Sequence, residues 1–355
     1  MECSSKIIYK FLIFVKNLDM LFTPHKIKKV LKETSSSVSL YFDNIENFQF
    51  LPGQYLTFEQ DFDGKTVRRS YSLSSAPNED LRVGIKAVEN GLFSNFAVGL
   101  KEGDSLNIAA PEGRFLLDLS NTNKAHFLGI AAGSGITPIV SMIKEVLKSK
   151  EAQFTLIYGN KRPEDAMYLS ELLEMQKEDS RLKIHLTYSQ NCGPEDRLGR
   201  IDENLIKFAL KDQEIEKAFL CGPEKMIENA SSVLEELEFA PEQISYELFT
   251  QSSQQDEVLD ESDSVEITVI LDDESHTFSA PKGQNLLDAI LEEDLDAPYS
   301  CKGGVCSSCI ALVSKGKAEM LKNPILTDSE IEEGLTLTCM AHAVTSSLCI
   351  DFDEA

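Results

Sequence analysis

Four cysteines near the C-terminal end, Cys301, Cys306, Cys309 and Cys339, are spaced C-x4-C-x2-C, with the fourth thiol 30 positions further on. That is the plant-type spacing for ligating a [2Fe–2S] cluster. Each iron takes two thiolates, and three of the four come from one tight loop. Gly303-Gly304 lie between the first two cysteines and let the backbone approach the sulfides. The fourth thiolate arrives from a separate strand and clamps the loop. A zinc site usually shows two C-x2-C pairs, and here there is one. A disulfide framework belongs to a small secreted chain, and this chain has 355 residues and eight cysteines. Cys3, Cys192 and Cys349 read as ordinary small residues or spare thiols.

Three further segments could do chemistry. Arg69-Ser70-Tyr71-Ser72-Leu73-Ser74 ends a strand. A flavin site needs an aromatic over the isoalloxazine, a small donor at its reactive nitrogen and a cation on the pyrophosphate. Alternation points Arg69 and Tyr71 one way and Ser70 and Ser72 the other. Alone, such a run is more often surface and packing. Gly91-Leu92-Phe93-Ser94-Asn95 reads as a helix start with Ser94 as N-cap, where free amides could hold a phosphate or simply be capped. Gly133-Ser134-Gly135-Ile136-Thr137-Pro138 joins a buried strand to a helix, the place for a dinucleotide pyrophosphate or ribose. It is not G-x-G-x-x-G, and a plain tight turn is the alternative. Cys221-Gly222-Pro223 ends a strand before a helix. A thiol there would face the crevice, unless it is simply a buried cysteine.

The elements that must position these residues fall into three domains. Residues 23–122 alternate as short strands at 38–42, 55–58 and 81–85, punctuated by Pro52-Gly53, Asp63-Gly64, Gly103-Asp104 and Pro111-Glu112-Gly113. This predicts an antiparallel barrel or sandwich. Residues 123–250 alternate strands at 127–132, 154–158, 184–188 and 218–221 with helices entered at Thr137-Pro138 and over 166–178, 204–209 and 225–238. That predicts a parallel, doubly wound α/β sheet. Residues 251–263 read as an acidic, flexible linker. Beyond it a hairpin turning at Asp272-Asp273, a short helix at 285–293 and the cysteine loop make a β-grasp (α+β) layout. The expected division is an extension over 1–21, a β-barrel domain over 22–122, an α/β domain over 123–250, the linker, and a ferredoxin-like domain over 264–355.

The formal net charge is −25 and the pI about 4.6, which argues against nucleic acid or anionic membrane as a partner. Residues 264–355 hold 17 Asp/Glu against 5 Lys/Arg. That surface either solubilises the domain or docks a basic redox partner. No stretch reaches the ~18–20 apolar residues of a membrane span. Residues 7–15 are apolar but carry Lys10 and lack a cleavage site, so they read as a short amphipathic extension rather than a signal or anchor. Met20 is an alternative start, and a cytoplasmic location is expected.

Taken together, these motifs resemble flavin-dependent ferredoxin–NAD(P)H reductases with a C-terminal plant-type ferredoxin domain. The resemblance covers about residues 22–355. It is carried by Tyr71-Ser72-Leu73-Ser74-Ser75-Ala76-Pro77, Phe93-Ser94-Asn95-Phe96, Pro111-Glu112-Gly113-Arg114-Phe115, Cys301-Lys302-Gly303-Gly304-Val305-Cys306, Leu337-Thr338-Cys339 and Ile350-Asp351-Phe352-Asp353. Within the family the chain is most similar to the reductase components of phenylacetyl-CoA epoxidase systems, which implies a place in phenylacetate catabolism. The resemblance implies FAD, with Arg69 and Ser70 at its phosphate end, Tyr71 on the ring, Ser72 near N5, and Gly91, Phe93 and Ser94 at the pyrophosphate. It implies NAD(P)H at Gly133, Gly135 and Thr137, with Cys221 and Gly222 flanking the nicotinamide and Glu247 and Phe249 near the flavin. Ser72, Cys221 and Glu247 are then the catalytic set. Electrons would enter as hydride, cross singly to the [2Fe–2S] centre and leave to an oxygenase component. A different redox protein acceptor, such as another oxygenase, a desaturase or a hybrid-cluster protein, is the runner-up. A non-catalytic electron-carrier module is the reading from another class. NADPH-specific relatives often carry Arg where Gln190 stands, which implies weak discrimination or a modest NADH preference unless Arg197 or Lys161-Arg162 supplies the cation.

Overall fold

Strand-forming alternation and the turn residues between runs dictate the first domain. Its strands are β1 (Thr23–Thr34), β2 (Ser37–Phe42), β3 (Tyr55–Phe62), β4 (Lys65–Ser72), β5 (Leu81–Lys86) and β6 (Ser105–Ile108). They pair antiparallel in the order β4-β3-β6-β1-β2-β5. A bridge between Leu73 and Val83, with Ser74 N–H donating to Arg82 C=O at 2.7 Å, brings the two edges together and closes the barrel. Ile27, Leu40, Phe42, Leu56, Phe58, Val83 and Ile85 fill the interior. The computed structural model describes residues 21–43, 48–119, 124–190, 193, 196–211, 213–249, 264–321, 323 and 325–355. Residues 1–20 of the N-terminal extension, the acidic linker, Cys3 and Cys192 lie outside the described residues.

Helix α1 (Leu92–Ala97) follows β5. It does not start where the sequence suggested. Gly91 is the N-cap and Ser94 is the third helical residue, with its hydroxyl accepting from Val88 N–H at 3.2 Å and donating to Gly91 C=O at 3.3 Å. The turn closes inward on Val88, so the serine seals it from inside. A Cβ on Gly91 would meet Val88 Cγ2 at 2.4 Å and Ser94 Oγ at 2.5 Å, which is why glycine stands there.

The second domain alternates as expected. Its strands are β7 (His126–Ala132), β8 (Gln153–Asn160), β9 (Leu182–Tyr188), β10 (Lys217–Gly222) and β11 (Ile244–Leu248). They form a wholly parallel sheet in the order β11-β10-β7-β8-β9. The helices α2 (Ile136–Lys148), α3 (Leu169–Glu178), α4 (Glu203–Leu210) and α5 (Glu224–Glu236) connect them. The order reverses between β7 and β10, so the crevice of this sheet opens at their carboxyl ends. Helix α3 begins three residues later than its periodicity predicted, because Tyr168 takes a left-handed backbone (φ 59°). Its ring packs against the barrel instead. Tyr168 Oη donates to Ser74 Oγ at 3.1 Å, and Arg82 stacks on the ring at 4.5 Å while donating to Glu171 Oε2 at 2.8 Å. Phe115 and Leu117 of the barrel segment join the core of the parallel sheet. A cavity of about 680 Å3 opens at this seam; of the cations lining it, Arg82 and Lys144 pair with Glu171.

The third domain contains β12 (Ser264–Leu271), β13 (Glu274–Pro281), α6 (Leu286–Glu292), β14 (Ile310–Lys315), β15 (Ala318–Met320), α7 (Asp328–Glu332), β16 (Leu335–Leu337), β17 (Ala341–Ala343) and β18 (Ser347–Asp351). The main sheet runs β13-β12-β18-β14-β16, and β15 pairs with β17. The hairpin turns on Asp272 (φ 56°) and Asp273 (φ 61°), as a two-residue turn with both central φ positive requires. Leu286, Leu287 and Ile290 of α6 pack into the sheet's core.

Candidate functional site

The cysteine loop runs from the end of α6 to β14. Backbone N–H groups of Gly303 and Gly304 donate to Cys301 Sγ and Cys339 Sγ, each at 3.3 Å. The backbone is left-handed at Lys302 (φ 51°) and Gly304 (φ 70°), which wraps the loop round the thiols. Cys339 sits on a short turn after β16, and Thr338 fastens that turn to the loop by donating N–H and Oγ1 to Cys309 C=O at 3.1 and 3.0 Å. The four thiols lie within interaction distance of one another, Cys301 beside Cys306 and Cys339, and Cys309 beside Cys339. All four sequence-predicted ligands therefore converge, with amide donors aimed at sulfur. That donor set fits a [2Fe–2S] cluster, whose charge such donors stabilise.

The β4 residues lie beside this loop. Ser70 Oγ is 2.5 Å from Ser300 Oγ, one residue before Cys301. Ser72 Oγ faces the same way and donates to Glu247 Oε2 at 3.2 Å. Tyr71 faces the other way, its ring 5.7 Å from Phe93 and 5.9 Å from Phe58. Phe93 is buried behind Tyr71, so it supports the tyrosine rather than presenting its own face. The exposed Arg69 donates to Arg68 C=O at 2.6 Å.

At the carboxyl ends of β7 and β10 the backbone approaches itself closely. A Cβ on Gly135 would lie 2.1 Å from Cys221 C=O and 2.9 Å from Gly222 N. Gly133 has φ 57° and open space before it. Gly222 has φ 155°, and a Cβ there would meet Met226 and Ala132. A thin, side-chain-free floor at the sheet's switch point suits a dinucleotide. Thr137 is buried and its hydroxyl donates to Ser134 C=O at 3.0 Å, so it secures the turn. Cys221, expected to face the crevice, is fully buried because its strand lies between β11 and β7 and its side chain joins the core of that sheet. Burial, and then the Glu247 charge, raise its thiol well above the ordinary range. Glu247 is its register partner on β11, and burial pushes that carboxyl up to about 8. Phe249 packs against the core containing Phe115. Ser72, Glu247 and Cys221 are thus brought together from three strands.

Of the cations offered for a 2′-phosphate, Arg197 is held by Asp202 at 2.6 Å and Thr187 at 2.8 Å, and Arg162 by Asp165 at 3.0 Å. Lys161 is exposed, and its carbonyl accepts from Gln190 N–H at 2.9 Å. Sequence reasoning missed the contacts between barrel and cysteine loop at Tyr55, Glu112 and Ser308. The only signal was the polar Ser307-Ser308 pair inside the C-x2-C, which spacing alone does not interpret.

Family models match in the same order as the three folded units. Residues 26–116 match an oxidoreductase FAD-binding domain, 130–232 an oxidoreductase NAD-binding domain, and 269–344 a 2Fe-2S iron-sulfur cluster binding domain. The chain is 36% identical over 349 residues to a subunit of the 1,2-phenylacetyl-CoA epoxidase of Escherichia coli (strain K12), covering 92% of this chain and 96% of that one. It is 31% identical over 346 residues to the ferredoxin reductase component of 3-ketosteroid-9-alpha-monooxygenase of Rhodococcus rhodochrous, covering 92% and 95%. Among solved structures, phthalate dioxygenase reductase superposes with a TM-score of 0.60 at 21% identity over 93% of this chain and 98% of that one.

Proposed function

The chain belongs to the family of FAD- and [2Fe–2S]-dependent reductase components of oxygenase systems, and we propose that it serves an oxygenase of the phenylacetyl-CoA epoxidase type. It is an oxidoreductase that passes reducing equivalents from NAD(P)H through FAD and a [2Fe–2S] centre to a partner oxygenase. Bound FAD and cluster together supply the conversion of a hydride into single electrons, and the protein supplies position and electrostatics.

In this reading Arg69 offers an exposed guanidinium to the flavin phosphates, and Ser70 steadies the same strand end through Ser300. Tyr71, backed by Phe93, covers the flavin ring. Gly91 and Ser94 shape the turn whose amides face the pyrophosphate. Ser72 presents a hydroxyl to N5 while Glu247 and Cys221 set the polarity around the nicotinamide, with Phe249 closing that edge. Gly133, Gly135 and Gly222 keep the crevice floor thin, and Thr137 holds its turn. Cys301, Cys306, Cys309 and Cys339 hold the cluster. The domain limits proposed are 1–21, 22–122, 123–250, 251–263 and 264–355. No described helix is long and apolar enough to cross a membrane. A cytoplasmic site of action is proposed with the function, since its reductant is NAD(P)H.

The observation that carries the reading is the contact between Ser70 and Ser300, which sets the proposed flavin strand against the proposed cluster loop. The test is reconstitution with the purified oxygenase component of a phenylacetyl-CoA epoxidase and, separately, of a 3-ketosteroid 9α-monooxygenase. Epoxide formation coupled to NAD(P)H oxidation is expected with the first. Coupling only with the second would reassign the acceptor. A purified protein without flavin absorption would favour the non-catalytic module.

A further inference from the structure

A directional chain of hydrogen bonds fastens the cysteine loop to the barrel. Ser308 lies between Cys306 and Cys309. Its Oγ donates to Glu112 Oε2 at 3.0 Å and lies 3.0 Å from Tyr55 Oη. A serine hydroxyl has one proton, so Tyr55 must be the donor in the second bond. The order is Tyr55 O–H to Ser308 O–H to the Glu112 carboxyl. Both barrel members are themselves fixed. Tyr55 N–H donates to Glu112 C=O at 2.8 Å and Glu112 N–H to Tyr55 C=O at 3.0 Å. Gly113, at φ 122°, sits over the tyrosine ring, where a Cβ would come within 3.1 Å of Cδ1 and Cε1. Glu112 is secluded enough that burial raises its carboxyl, while the bond from Ser308 pulls it back.

The two ends of the chain lie on domains with separate cores. The barrel core is built from residues between Ile27 and Ile108, and the ferredoxin core from residues between Val265 and Ile350. Neither core contains Tyr55, Glu112 or Ser308, so the chain's effect falls on how the two domains meet. A second polar contact, Ser70 to Ser300, lies on the same face.

We propose that Tyr55 and Glu112 are positioning residues for flavin-to-cluster electron transfer, latching Ser308 and with it the Cys306–Cys309 turn against the barrel. This rests on the reductase reading above. Each NAD(P)H oxidised delivers two electrons as a hydride. These cross to the cluster one at a time and leave to an external one-electron acceptor, the flavin's protons return to solvent, and Tyr55 and Glu112 exchange none of them.

The test uses the full-length protein loaded with FAD and cluster, in Glu112→Ala, Glu112→Gln and Tyr55→Phe forms. The first readout needs no coenzyme: hydrogen–deuterium exchange of residues 300–309 in the oxidised protein. Losing a hydrogen bond to a buried carboxyl shifts a docked-to-undocked ratio by about tenfold. Exchange in this segment should therefore rise about tenfold in Glu112→Ala. Glu112→Gln, whose amide carbonyl still accepts from Ser308, should stay near wild type. The second readout is rapid mixing with NADH: flavin bleaching should keep its rate while cluster reduction slows by a similar factor. Unchanged exchange and unchanged cluster reduction in both Glu112→Ala and Tyr55→Phe would overturn the proposal. So would equal slowing of flavin bleaching, or equal loss in the Gln and Ala forms. If Glu112→Ala sheds its cluster, Tyr55→Phe decides, since it removes only the hydroxyl donor. A wild-type protein whose flavin NADH does not bleach would sink the reductase reading while leaving the exchange result intact.

Discussion

The Ser72 hydroxyl, at the end of a barrel strand, donates to the Glu247 carboxyl on the last strand of the parallel sheet across 3.2 Å. The bond lowers the carboxyl's pKa, but burial outweighs it and holds the group at about 8. The unfolded chain would titrate near 4.5. Below that value the carboxyl is protonated in both states. Between about 4.5 and 8 the folded protein retains a proton that the unfolded chain has lost, so rising pH favours unfolding. Above about 8 the penalty is complete. Glu247→Gln removes the titration. Its melting temperature, measured without flavin, should gain on wild type as pH rises from about 5 to 8 and level off beyond. A constant offset across that range would show that Glu247 is not held protonated.

Cys306→Ser should remove or badly destabilise the cluster while leaving FAD bound, because the domains have separate cores. NAD(P)H should still bleach the flavin, and a cytochrome-type acceptor should no longer be reduced. Reduction at the wild-type rate would mean that electrons bypass the cluster.

Arg69→Ala should weaken FAD retention. A charge-assisted contact contributes about 1.5–3 kcal/mol, or roughly 10–100-fold in Kd. Flavin stoichiometry after extensive dialysis measures it, and an unchanged value counts against the assignment.

The carboxylates of Asp288, Glu292, Asp294 and Asp296 flank the cysteine loop in sequence, and Lys302 pairs with Asp288 at 2.9 Å. If this surface docks a basic partner, transfer to that partner should slow as the Debye length falls from ~10 Å at about 0.1 M salt to ~3 Å at about 1 M. Hydride entry should change much less. Stopped-flow rates for both steps decide, and equal responses would leave the surface merely solubilising.

Gln190→Arg should raise the NADPH/NADH ratio of kcat/KM, mainly through KM, because a guanidinium grips a 2′-phosphate that an amide cannot neutralise. Arg197 and Arg162 are already held by carboxylates, so Lys161 is the alternative source of charge. A strong NADPH preference in wild type, indifferent to Gln190 and lost in Lys161→Ala, would move the selectivity there.

Local chemistry made much of this legible. Cysteine spacing, the Asp272-Asp273 turn and the strand–helix alternation of residues 126–248 each rest on short-range rules that survive folding. Ser70 and Ser72 face the same way because a strand has period two. What stayed illegible depends on non-local packing. Periodicity ran α3 back to Ala166, but the left-handed backbone at Tyr168 answers to a barrel residue, Ser74. The N-cap rule selected Ser94, yet the turn at Val88 draws that hydroxyl inward. Pro111-Glu112-Gly113 read as a turn and as part of the family resemblance, with no contact assigned to Glu112, because its partner is 196 residues away.

Gly84 of the barrel has no room for a side chain: a Cβ would stand 2.2 Å from Tyr168 Oη. Barrel and parallel sheet are therefore fitted to each other at atomic tolerance, and Phe115 and Leu117 carry one core into the next. The ferredoxin unit meets them through polar pairs, such as Arg68 with Asp296 and Arg114 with Glu330, and through Val305, which packs against the parallel sheet's core. For gene recombination the consequence is lopsided. Exchanging the C-terminal unit for another requires matching a few surface partners, whereas shuffling barrel against nucleotide domain requires co-inheriting a moulded interior. The economical crossover point in this gene lies within the codons of the acidic stretch, and a reductase body could acquire a new electron outlet there without being rebuilt.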